Sequence, residues 1–135
     1  MAKIMVVDND PSIATMIERI LEAEGYEVST AMSGTECLKE LEKEKPDLLL
    51  LDVMMPDLSG WDVYWRIRKK DEVLKVAFVS VVEVSPGRRE ELIRDYGISD
   101  YIIKPFTHDG LTSAVKQILG KSPQKGSKSE PWLRE

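Results

Sequence analysis

The sequence predicts an α/β fold of the doubly wound kind, a parallel sheet with helices on both faces. Two observations predict it. Short runs of Val, Ile and Leu without polar alternation, the mark of strands buried on both sides, recur along the chain with amphipathic helical segments between them. Proline, glycine and capping residues fall at the joints, so that strand and helix repeat about five times.

Each element has its own justification. Lys3–Val7 is an apolar first strand. Asp10-Pro11 then supplies an N-cap and a proline at the first helical position. Ile13, Met16, Ile17, Ile20 and Leu21 follow at helical spacing and form an apolar face, and Gly25 stops the helix. Glu27–Ala31 is a weaker strand. Ser33-Gly34-Thr35-Glu36 reads as a capping box opening a helix that carries Cys37, Leu38 and Leu41, with Cys37 in the core. Asp47–Leu51 is the third strand, and Val63, Tyr64 and Ile67 form the inner face of the next helix. On that helix Trp65, one turn after Trp61, is expected to be partly exposed, and the basic run Arg66–Lys70 to be a solvated face. Lys75–Val79 is the fourth strand. Ser85-Pro86 opens a helix with Leu92, Ile93 and Tyr96, ended by Gly97. Asp100–Ile103 is the fifth strand, and Leu111, Ala114, Val115, Ile118 and Leu119 mark the last helix, ended by Gly120.

A length of 135 residues suits one domain over 1–120 followed by a flexible tail over 121–135, rich in Ser, Lys and Pro. The tail's Pro131-Trp132-Leu133 is read as inert. Lys plus Arg number 19 against 24 Asp plus Glu, for a net charge of −5, a poor basis for direct binding to nucleic acid or an anionic membrane. A single cysteine excludes an internal disulfide and suits a reducing compartment. No apolar run approaches the ~20 residues that span a bilayer, so a cytoplasmic location is expected.

In open α/β sheets a ligand site lies beyond the carboxyl ends of the strands. The first strand is followed there by Asp8, Asn9 and Asp10, the third by Asp52, the fourth ends at Ser80, and the fifth at Lys104-Pro105-Phe106. Clustered carboxylates repel one another unless a cation joins them, and hard oxygen donors suit magnesium (Mg2+). A carboxylate beside such a cation can attack a phosphoryl group, whose developing charge an ammonium and a hydroxyl stabilise. Asp52, Lys104 and Ser80 are groups of that kind.

Val6-Val7-Asp8-Asn9-Asp10-Pro11, Leu51-Asp52-Val53-Met54-Met55-Pro56, Val79-Ser80 and Tyr101-Ile102-Ile103-Lys104-Pro105-Phe106 together resemble the receiver domain of two-component response regulators, over about residues 2–119. The resemblance implies a flavodoxin-like (βα)5 three-layer sandwich with strand order 2-1-3-4-5. It implies a signalling switch rather than a turnover enzyme, in which Asp52 accepts a phosphoryl group from a histidine kinase or phosphotransfer protein. Asp8, Asn9, Asp52 and the backbone carbonyl of Met54 are then the Mg2+ ligands. Ser80 and Lys104 contact the phosphoryl group, and Ser80 moves inward with Tyr101 turning in as the switch. An effector, or a second copy in a phosphorylation-dependent homodimer, reads the face of the fourth helix, fifth strand and fifth helix. The family carries a cis peptide at Pro105.

Some positions depart from the family pattern. Asn9 stands where a second acidic ligand is usual, which predicts weaker metal affinity. Asp10 is read as a cap. Ser59, in place of an Asp before Gly60, is read as a turn change, and Val81 replaces a smaller residue. Met54 and Val82 are apolar where the family controls the approach of water, which predicts slow self-dephosphorylation. His108 is read as a surface residue. The competing readings are a degenerate receiver, a constitutive interaction module disabled by Asn9, and a haloacid-dehalogenase-type phosphatase, which expects an Asp where Met54 stands. Flavin binding lacks a phosphate-cradling loop.

Overall fold

The computed structural model describes residues 1–123, 125 and 126. Five strands, β1 (Lys3–Val7), β2 (Glu27–Ala31), β3 (Leu48–Leu51), β4 (Lys75–Ser80) and β5 (Asp100–Ile103), alternate with five helices. The helices are α1 (Pro11–Ala23), α2 (Gly34–Lys43), α3 (Gly60–Lys70), α4 (Pro86–Tyr96) and α5 (His108–Leu119). The strands form one sheet in the order β2-β1-β3-β4-β5, every pair parallel. The expected architecture and order are both observed.

The period-two alternation of side chains divides the core into two layers. Ile4, Val6, Leu48, Leu50, Ala77 and Val79 point to one face, against Ile17 and Leu21 of α1 and Leu111, Val115 and Ile118 of α5. Met5, Val7, Leu49, Leu51, Val76 and Phe78 point to the other, against α2, α3 and α4. Central β3 reads Leu48-Leu49-Leu50-Leu51 because both its faces are covered, and all four leucines are buried. β2 lies at an edge and is largely exposed, hence its weaker apolar signal.

The caps follow the sequence with two variations. Asp10 and Ser85 accept from the backbone N–H of Ser12 and Arg88, and Gly25 and Gly97 end α1 and α4 at positive φ. Gly120 follows α5 in ordinary right-handed geometry. At α2 Ser33 accepts from Glu36 N–H, but the Glu36 carboxylate reaches past Ser33 to the N–H of Met32. Ser59 is more than a turn residue: it caps α3 in a reciprocal capping box with Asp62.

Three expectations need correction. Met16 belongs to the spacing of the α1 face but is exposed, because the helix turns Ala14, Ile17 and Leu21 inward. Trp65 is only 7% exposed, since α4 covers it from the side. It stacks on Trp61, at 6.4 Å between ring centroids, and meets Tyr64 and Tyr96 edge-on. In the basic run of α3, Arg68 turns inward. Its Nη1 donates to the carbonyls of Leu74 (2.7 Å) and Asp71 (3.3 Å), its Nη2 to Gly97 (3.2 Å) and its Nε to the Tyr64 hydroxyl. That hydroxyl in turn donates to Tyr96 carbonyl at 2.6 Å, so one guanidinium ties the α3–β4 turn to the end of α4.

Cys37 is fully buried and His108 exposed, as expected. Of the expected tail, Lys125 pairs with Glu72 at 2.7 Å and Gly126 lies against the backbone of Tyr96 and Gly97. Pro131-Trp132-Leu133 lies outside the described residues.

Candidate functional site

Sheet register assembles the site. Val7 and Leu51 are paired across β1 and β3, so the residues that follow them, Asp8 and Asp52, emerge side by side at the C-terminal rim. The Asp52 N–H donates to Val7 carbonyl and the Asp8 N–H to Ala31 carbonyl, each continuing its ladder by one bond. Ser80 and Ile103 are likewise paired across β4 and β5, and the Lys104 N–H donates to Ser80 carbonyl, which aims Lys104 back over the rim.

The result is a buried charge cluster. Asp8 is 2% exposed and Asp52 6%. The Lys104 side chain, 11% exposed, places Nζ 2.6 Å from Asp8 Oδ2 and 3.3 Å from Asp52 Oδ2. Burial works against the Lys104 ammonium, but the hydrogen bond to Asp8 and the attraction of both carboxylates outweigh it and hold its pKa above the usual lysine value. Asp52 Oδ1 accepts from the N–H of solvent-exposed Met54 at 3.3 Å.

Ser80 is fully buried and its Oγ accepts from the Val82 N–H. Tyr101 is buried too, its hydroxyl donating to Val82 carbonyl at 2.6 Å. Burial raises the Tyr101 pKa, against a hydrogen bond with Ser80 that lowers it, and the charge of Asp52 raises it further. The ring expected to turn inward on switching therefore already lies inside. Lys104-Pro105 is a cis peptide bond.

The structure thus brings together Asp8, Asp52 and Lys104, and joins Ser80 to Tyr101 through Val82. Asn9 is exposed next to Asp8, and Asp10 is occupied as the cap of α1. Among the described residues no group of three or more His, Cys, Asp or Glu side chains is placed to hold a metal. The two carboxylates, the Asn9 amide and the Met54 carbonyl offer only oxygen donors, a set that fits a hard divalent cation which keeps part of its water shell.

A model of the response regulator receiver domain family matches residues 4–116. The chain belongs to the response regulator receiver domain family. It is 38% identical over 128 residues to the alkaline phosphatase synthesis regulatory protein PhoP of Bacillus subtilis, covering 95% of this chain and 52% of PhoP. It is 34% identical over 122 residues to the phosphate regulon regulatory protein PhoB of Rhizobium meliloti, covering 89% and 53%. The chain therefore spans about half the length of these curated relatives. Among solved structures, a CheY-like receiver domain from Methanospirillum hungatei superposes with a TM-score of 0.78 at 30% identity, covering 88% of this chain and 94% of its own. TrrA of Thermotoga maritima, solved in complex with Mg2+ and BeF, superposes with a TM-score of 0.76 at 33% identity, covering 87% and 99%.

Two residues of this receiver's site went unread in the sequence. Gly60 lies so close to the loop after β3 that a Cβ placed on it meets Asp52 carbonyl at 2.2 Å. Asp57 accepts hydrogen bonds from Gly34 N–H (3.2 Å), Thr35 N–H (2.8 Å) and Thr35 Oγ1 (2.7 Å), at the start of α2. Gly60 carries a sequence signal, as the first glycine after Asp52, at the start of the helix that follows. Asp57 carries none, because its partners are over twenty positions away.

Proposed function

We propose that this receiver domain is a phosphorylation-dependent switch that accepts a phosphoryl group on Asp52 from the phosphohistidine of a kinase or phosphotransfer protein. The observation that supports it is the buried cluster in which Lys104 Nζ reaches both Asp8 and Asp52. An Asp52 oxygen attacks phosphorus, the P–N bond of the donor breaks, and the imidazole leaves with the bonding pair and takes up a proton. Lys104, drawn toward both carboxylates, supplies a fixed positive charge beside the transferring oxygens, and the buried Ser80 hydroxyl a hydrogen bond. Asp8, Asn9, Asp52 and the Met54 carbonyl would hold Mg2+, a cation present in the solved complex of the similar protein TrrA. The cation, when bound, neutralises charge on the phosphoryl oxygens.

Output is read on the face of α4, β5 and α5 by an effector or a second copy. Tyr101 already lies inside, so the change is carried by the Val82 segment to which both Ser80 and Tyr101 bond, a shift of population rather than a wide ring swing. Met54 is 60% exposed and Val82 is also exposed, and neither can orient water, so the acyl phosphate is long-lived. Among the described residues no helix is long and apolar enough to cross a membrane. A cytoplasmic site of action fits the reading.

Incubation with acetyl phosphate and Mg2+ followed by intact mass tests it. The expected result is one base-labile phosphoryl adduct, absent in Asp52→Asn and stable for minutes. No adduct on the native protein overturns the switch in favour of a constitutive interaction module. Label lost within seconds overturns the slow hydrolysis.

A further inference from the structure

The phosphoacceptor loop, residues 52–59, is held at both ends. At its start Gly60 N–H donates to Val53 carbonyl at 2.7 Å and Met54 N–H to Asp52 Oδ1. At its far end the Asp57 carboxylate accepts three hydrogen bonds from the first two residues of α2. The bonds from Thr35, side chain first, hold the Asp57 carboxyl well below the usual carboxylate range. A second contact fixes the same junction. A Cβ on Gly34 would meet Leu58 Cβ at 2.9 Å and Val63 Cγ2 at 2.8 Å, so the start of α2 seats directly on the loop and on α3. Loop and helix start are one body.

We infer that Asp57 is a positioning residue for the cation site, clamping the loop to α2 so that the Met54 carbonyl is presented to the Asp8–Asp52 pair before a cation arrives. The inference rests on the receiver reading and deepens it. Its force comes from Asn9. A cluster with two carboxylates, both already engaged by Lys104, attracts a divalent cation less than one with three. The neutral carbonyl then carries a larger share of the affinity, and a carbonyl contributes fully only when its backbone need not be ordered on binding. Supporting residues around a metal site typically govern affinity by about 10–100-fold. The exposed clamp of Asp57 belongs at the lower end of that range.

The test is Mg2+ affinity by titration calorimetry, on native protein and on Asp57→Ala, Asp57→Asn and Thr35→Val, with the fold checked by circular dichroism and urea titration. Asp57→Ala should weaken Mg2+ binding about tenfold. Asp57→Asn, which keeps one acceptor oxygen, and Thr35→Val, which loses only the hydroxyl bond, should each weaken it by a smaller factor. Replacing Asn9 with Asp should shrink the Asp57→Ala effect, a coupling that a merely structural role would not produce. Folded variants that bind Mg2+ within twofold of native, or an Asp57→Ala effect equal in both backgrounds, overturn the inference while a native protein that still labels with acetyl phosphate leaves the receiver reading standing. If Asp57→Ala does not fold, the Asn and Thr35→Val variants decide on the same criterion. Native protein that neither binds Mg2+ nor labels overturns both.

Discussion

Replacing Gly60 with alanine links packing and chemistry most directly. The added Cβ would lie 2.2 Å from Asp52 carbonyl oxygen, 2.8 Å from Val53 Cα and 3.0 Å from Asp52 carbonyl carbon, all backbone atoms that cannot swing aside. Real Cβ atoms are essentially never closer than 3.0 Å to a neighbour, so the Asp52 peptide must retreat by at least 0.8 Å, the gap between 2.2 and 3.0 Å. Overpacking of this kind costs about 1–3 kcal/mol. Little of that is recovered by alanine's better helix propensity, worth at most ~1 kcal/mol, because Gly60 is only the first residue of α3. The displacement falls on the residue proposed above as phosphoacceptor, and a misplacement near 1 Å can cost about 10²-fold in rate. Urea titration should show the stability loss, and the rate of labelling by acetyl phosphate at saturating Mg2+ should fall by one to two orders of magnitude, roughly. Gly87→Ala in α4 is the control. Nothing lies within 4 Å of its Cβ position, so labelling should be unchanged and stability equal or higher. A Gly60→Ala protein with native stability that labels at the native rate would refute the claim that this close approach positions Asp52.

Three further outcomes follow from other contacts. Arg68→Lys keeps the charge but cannot span three carbonyls and a hydroxyl, so it should lose about 2–3 kcal/mol in urea titration; a loss under 0.5 kcal/mol would mean that the guanidinium is dispensable. Burial pushes the Cys37 thiol up to about 12, so it should resist thiol reagents at neutral pH in folded protein and react at once in denaturant; stability should also fall as pH rises past the unfolded thiol's 9.0, where only the unfolded chain ionises. Asp57 and Asp71 both have lowered carboxyl pKa values. For Asp57 the cause is bonding to Thr35. For Asp71, burial opposes the shift, but bonds from Lys45, Val73 and Leu74 prevail. Their contribution is present above the unfolded value of 3.8 and lost as pH falls below it, so the urea midpoint should drop below about pH 4, and less steeply in Asp57→Ala.

How much of this was legible depends on how far each interaction reaches along the chain. Strands buried on both faces leave continuous apolar runs, so β1, β3, β4 and β5 are read directly, whereas edge-strand β2 shows a fainter trace of the same rule. Helix periodicity compares a residue only with its own helix. It places Val63 and Ile67 toward the sheet correctly but turns Trp65 outward, because the ring of Tyr96 that helps cover it comes from α4. The same blindness makes Arg68 look like one more solvated charge, although its acceptors belong to the α3–β4 turn and to Gly97 at the end of α4.

The candidate site sits between these extremes. A polar residue after a strand is ordinary, and each of Asp8, Asp52 and Lys104 taken alone is explained by the wetness of a loop. Parallel pairing changes that. Once Val7 faces Leu51, the next residues must emerge together, and two adjacent buried carboxylates are untenable without a cation. Lys104 answers that requirement in the structure, closer to Asp8 than to Asp52. That asymmetry leaves Asp52 the less tightly engaged of the two, bonded besides to the N–H of exposed Met54. The carboxylate we propose as nucleophile is therefore the one the cluster holds less firmly, and the close approach of Gly60 to its backbone constrains where it points.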